Sequence, residues 1–229
     1  MSVPRFTPRT LTFLRQLKRH NNRDWFRMHR NDYETHVWQP MVDLVEHLSV
    51  DLRTLAPDLV ASPQKSIYRI YRDTRFSANK EPFKTQVAAI FPHRNLPKHQ
   101  GAGLYVHVSA EQVFIGGGLY RPEQRQLYQL REHISTNTQL LTIILNAPSF
   151  RRNFGRLSGS RLQRVPRGFD SGHPAAKFLR MKQFLAGTER PSTFATGLRF
   201  YSSLLHLFKQ LIPFIEFVNK PLTRKRFEM

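Results

Sequence analysis

Four short runs rich in aromatic and β-branched residues sit together in the middle of the chain: Ile67 to Asp73, Gln86 to Pro92, Leu104 to Ser109 and Gln112 to Leu119. Divided by turn-forming residues, they read as a largely antiparallel sheet of about four strands. Only Ala110 and Glu111 separate the last two, which is hairpin spacing. Sequence of helical period lies on both sides. Leu11, Leu14 and Leu17 mark a helix over Thr10 to His20, with Thr7 or Thr10 as its cap. From Asn31 to Ala56 apolar residues recur every three or four positions, an amphipathic helix in which Pro40 forces a kink or break near Trp38. Between these helices, NNRDWF reads as a junction fixed by Trp25 and Phe26, with a surface aromatic for stacking as the alternative. After the strands, Pro122 opens a long helix carrying Leu127, Leu130, Ile134, Leu141 and Leu145 and ending before Pro148. A short helical stretch follows with Lys177, Arg180 and Lys182, then a C-terminal helix that stops at Pro221. Segregating helices from strands in this way predicts an α+β fold, a small sheet packed against N-terminal and C-terminal helices. Residues 1–222 read as a single domain and 223–229 as a frayed basic tail.

The charge balance limits the partners. Lys and Arg number 36 against 16 Asp and Glu, a formal net charge of +20. That balance favours nucleic acid, an anionic membrane surface or phosphorylated small molecules. With 40% hydrophobic and 12% aromatic residues, the chain has the means to fold and is not of disordered composition. Cysteine is absent, which excludes disulfides and thiolate zinc sites, and no other metal or cofactor motif stands out. Gly116 to Gly118 lack the Lys and Ser/Thr of a phosphate-binding loop and read as a bulge or a close backbone approach at a strand end. No secretory signal is visible, and Leu198 to Val218 is interrupted by Arg199, His206, Lys209, Pro213 and Glu216, so no membrane span is expected. A soluble, cytoplasmic protein is the expectation; the oligomeric state is not encoded in any pattern.

The segment Ser66 to Lys84 concentrates the chemistry. Arg69, Arg72, Arg75, Lys80 and Lys84 lie among Tyr68, Tyr71, Phe76 and Phe83, opposed only by Asp73 and Glu81. If Ile67 to Phe76 is extended, Arg69, Tyr71, Asp73 and Arg75 share one face. Two guanidinium groups beside one carboxylate suit a fork for phosphate, and the same groups suit an ion-pair network that fixes the chain. A second block, Phe150 to Arg167, carries Arg151, Arg152, Arg156, Arg161, Arg164 and Arg167 without an acidic residue. Arg167, between Pro166 and Gly168, is presented by a turn. The anion-binding candidates are therefore Arg69, Arg72, Arg75, Lys80, Lys84 and Arg167, and the proton-carrying candidates are Asp73 and His173. Asp170 and His173 are spaced for an acid/base pair or for mutual stabilisation of a turn. Tyr68, Tyr71, Phe76 and Phe169 are candidate stacking surfaces.

FLRQLKRHNNRDWF, RIYRDTRFSANKEPFKT, GGGLYRP and RVPRGFDSGHP, in this order across nearly the full chain, resemble the family called domain of unknown function 2461. The resemblance implies one conserved globular unit and carries no catalytic residue with it. Ala78 and Asn79 stand where that family usually has Lys and Asp, Gln163 where Lys is common, and Gly172 where an acidic residue often precedes His-Pro. Three functions follow as expectations: binding of a phosphate-containing ligand or nucleic acid, catalysis on a phosphorylated or acidic small substrate, and a scaffold role for an acidic protein partner.

Overall fold

Thr7 turns the chain into α1 (Pro8–Arg19): its N–H donates to Thr10 Oγ1 at 3.1 Å, and Pro8 supplies the fixed φ suited to a first turn. The computed structural model describes residues 3–223. Asn22 Oδ1 accepts the Trp25 N–H at 2.9 Å and so caps α2 (Arg23–Met28). Trp25 then stacks on His29 with ring centroids 4.1 Å apart, the aromatic junction expected of this stretch. The next helix runs as α3 (Arg30–Tyr33), a π-helical turn (Glu34–Trp38) and α4 (Gln39–Leu55). Pro40 has no N–H to offer the His36 carbonyl four residues back. The wider π turn accommodates that loss, and the buried Thr10 hydroxyl donates to His36 O at 2.6 Å in its place.

A single antiparallel sheet follows in the order β1 (Gln86–Phe91), β2 (Gly103–Ser109), β3 (Gln112–Leu119), β4 (Phe184–Pro191). Ser109 Oγ accepts the N–H groups of Glu111 and Gln112 at 3.2 and 3.0 Å, tightening the β2–β3 hairpin. Two expectations are corrected here. Ile67 to Asp73 is not a strand: after α5 (Pro63–Ser66) it bends at Ile70 and makes isolated bridges to Ala89 at Ile67 and to Phe83 at Tyr71. It pairs with two different stretches, and Pro82 brings no N–H with which to continue a ladder. The fourth strand is instead β4, whose sequence carries little local strand signal. Gly118 of β3, at φ 132°, lets β4 close in; a Cβ there would lie 2.0 Å from Phe184 O. The glycine run is thus a close backbone approach, as expected.

The described residues gather into two compact units. The first comprises the chain up to Phe91 with Tyr105–Ile115 and Glu189–His206; the second comprises Pro92–Leu104, Gly116–Thr188 and the chain from Leu207. In the first, the apolar stripe of α4 (Met41, Leu44, Leu48) is buried, as are Leu14, Leu17, Val106, Val108 and Val113. In the second, the long helix expected after Pro122 is two: α6 (Gln124–Thr136), entered at Glu123, and α7 (Thr138–Asn146), divided at Asn137. Asn137 Nδ2 donates back to His133 O at 2.9 Å, competing with helix continuation. After α8 (Pro148–Phe154), the short helical stretch is α9 (Ala176–Leu179). Buried Arg131 reaches from α6 to the Leu179 and Met181 carbonyls at 2.8 and 3.1 Å, and burial lowers its pKa. The last helix, α10 (Phe200–Thr223), continues through Pro221 rather than stopping there. Residues 224–229, the remainder of the expected tail, lie outside the described residues. Among the described residues no helix is long and apolar enough to cross a membrane.

Candidate anion-binding site

The first basic block belongs to the first unit and is held by its aromatic residues. Asn21 uses its side-chain amide like a strand neighbour: Nδ2 donates to Phe83 O at 3.0 Å and Oδ1 accepts Phe83 N–H at 3.1 Å. Phe26 stacks on Phe83 at 4.3 Å, and Tyr71 leans on Phe83 at 5.4 Å. Ile70 is buried while Arg69, Tyr71 and Asp73 are exposed, an alternation that holds around the bend at Ile70; Arg75, also exposed, lies in the turn that follows.

Within this block the charges partner unequally. Arg75 grips Asp73 in a bidentate pair, Nε to Oδ1 at 3.0 Å and Nη2 to Oδ2 at 2.8 Å. Those hydrogen bonds hold the Asp73 carboxyl at about 2. Arg72 meets Glu81 at 3.4 Å, and Asn79 Nδ2 donates to the same oxygen at 3.0 Å. Lys80 donates to Thr74 O at 3.1 Å; Lys84 donates to Arg69 O at 2.7 Å and lies 5.5 Å from the Tyr68 ring centroid. The Arg69 guanidinium makes no hydrogen bond or ion pair among the described residues. Five cations face two carboxylates, leaving a surplus of three positive charges. Phe76, 95% exposed, stands at the tip beside Arg75.

The second block belongs to the second unit. α8 buries Phe150 and Phe154 and turns Arg151 and Arg152 outward; Gly155, at φ 65°, ends it. Bridges from Ser158 to Leu185 and from Arg161 to Met181 then tie the segment down. Arg151, Arg152, Arg156, Arg161, Arg164 and Arg167 are all exposed, and none is in an ion pair among the described residues. Arg167 occupies a turn closed by Phe169 N–H donating to Pro166 O at 3.3 Å, with Gly168 at φ 91°. Asp170 and His173 do not pair: Asp170 Oδ1 accepts the Gly172 N–H at 2.9 Å, and His173 Nδ1 accepts the Ala175 N–H at 3.0 Å. Both side chains serve the turn. The two proton-carrying candidates are thus engaged locally, Asp73 by Arg75 and His173 by its own backbone segment.

One cluster escaped the sequence reading. In β2, Leu104, Val106 and Val108 are fully buried, so the alternate residues Tyr105 and His107 face the other way, joined there by Gln86 of β1 and Phe114 of β3. His107 Nδ1 lies 3.2 Å from Tyr105 Oη, and its ring stacks on Phe114 at 5.6 Å. Gln86 Nε2 donates to the same phenol at 3.4 Å. Burial lowers the His107 pKa, opposed by Glu189, and raises that of Tyr105. The period-two alternation of Leu104 to Val108 was the signal that groups these residues. Among the described residues no group of three or more His, Asp or Glu side chains could hold a metal ion.

Comparison with known proteins adds a family. A family profile described as a conserved hypothetical protein (DUF2461) matches residues 9–217. A search of curated proteins finds no match.

Proposed function

The chain belongs to the DUF2461 family, whose description names no activity, and from the surface of this member we propose that it binds phosphate-rich polyanions, nucleic acid foremost. The observation that carries this reading is the second basic block, six exposed arginines with no carboxylate in the block's sequence and no ion pair among the described residues. A structural ion-pair network consumes its charges; here the arginines stay solvated and unneutralised, the condition in which they displace counterions from a polyanion. The first block supports the same reading. Its two carboxylates orient Arg72 and Arg75, and Arg69 makes no ion pair among the described residues. Arginine adds bidentate geometry to charge, which suits phosphate oxygens better than a spread of lysines would.

Heparin chromatography tests this directly. The wild-type protein is retained and elutes only at raised salt, and the combined R151E, R152E and R156E variant elutes markedly earlier. Passage of the wild type through heparin at low salt, or identical elution of the variant, overturns the reading.

A further inference from the structure

We infer that the ring-bearing face of the sheet in the first unit is a stacking platform for the bases of single-stranded RNA, an inference that rests on the polyanion reading above. Four rings are contiguous there. Tyr68 lies 6.3 Å from Tyr105, Tyr105 lies 5.6 Å from His107 and 6.0 Å from Phe114, and His107 closes the set against Phe114. Each of these residues is only half-buried, although three stand on strands whose opposite face is fully buried. A sheet face fully covered by its own chain would bury all four residues; here none of them is fully buried.

The neighbouring charge selects the occupant. Lys84 lies over the Tyr68 ring and bonds the Arg69 carbonyl, so the basic segment begins where the rings end. A strand laid across the rings brings its phosphates to Arg69 and Lys84, the pairing of stacked bases with a cationic track that single-strand binders use. A duplex keeps its base faces hidden in its own stack and cannot use the rings. The polar rim points to ribose. Gln86 Oε1 and His107 Nε2 have no hydrogen-bond partner among the described residues, and each can meet a 2′-hydroxyl, which both donates and accepts.

The test is fluorescence polarisation with one labelled sequence presented as single-stranded RNA, as single-stranded DNA and as duplex RNA, each at the same salt. Single-stranded RNA is expected to bind tightest. Tyr68→Leu and Phe114→Leu each weaken it about tenfold, the range found for removing one base–ring stack, while heparin elution stays unchanged. Phe114→Tyr, which keeps a ring, retains wild-type affinity. Equal binding of duplex and single strand, or wild-type RNA affinity in both leucine variants, overturns the platform; equal binding of the DNA strand overturns the assignment to RNA. Loss of heparin retention by the wild type itself removes the polyanion reading and this inference with it.

Discussion

Replacing Asn21 with alanine removes both hydrogen bonds that tie the Phe83 backbone to the junction between α1 and α2. Phe83 is 2% exposed, so its N–H and C=O are poorly placed to recover water. Two net hydrogen bonds are worth about 2 kcal/mol, and leaving both groups unpaired raises the cost to about 4 kcal/mol. Both tryptophans, Trp25 and Trp38, lie in the first unit, so urea unfolding followed by tryptophan emission reports on the affected unit. At a urea sensitivity of about 2 kcal/mol per M, the midpoint falls by about 1 to 2 M. Asn21→Asp keeps the acceptor for the Phe83 N–H and loses the donor to its carbonyl, so its midpoint falls about half as far. A midpoint for Asn21→Ala within about 0.2 M of wild type refutes the idea that this amide pins the basic segment.

Thr10→Val preserves shape and deletes both the donor to the carbonyl that Pro40 leaves open and the acceptor of the Thr7 N–H; it costs about 2 kcal/mol in thermal unfolding followed by circular dichroism, and Thr10→Ser restores nearly all of it. Because burial lowers the His107 and His99 pKa values, the folded protein binds fewer protons than the unfolded chain just below their ordinary value of 6.5. Stability therefore falls as pH drops through that value and levels off only below the lower folded values; His107→Gln flattens the fall in urea midpoints measured from pH 7 down to pH 5. Arg75→Gln returns the Asp73 carboxyl from about 2 towards its ordinary 3.8 in a carbon-detected NMR titration, and an unmoved titration contradicts the bidentate pair.

The elements legible in the sequence are those whose local preference and tertiary packing agree. The α1 and α4 stripes and the β2–β3 hairpin are of this kind, and so is the alternation that exposes Arg69 and Asp73 while Ile70 is buried. β4 was not legible, because Gly187, Glu189 and Pro191 weaken its strand signal and its place is set by the close approach that Gly118 allows. Ile67 to Asp73 carries the stronger local pattern and yet finds no continuous partner. Of the candidate site, charge and presentation were readable. Which carboxylate each arginine takes was not, since Asp73 and Glu81 were equally available on paper and only geometry gives Asp73 to Arg75 and Glu81 to Arg72. The buried Arg131, holding two carbonyls some fifty positions away, had no local signature at all.

The salt dependence of binding to a single-stranded RNA oligonucleotide tests polyanion binding most directly. Neutralising about three phosphates, the surplus of the first block alone, gives a slope of log affinity against log salt of about −2, and engagement of the second block makes it steeper. A linear fall of at least that steepness is the result predicted; a slope near zero, or no binding at low salt, contradicts it.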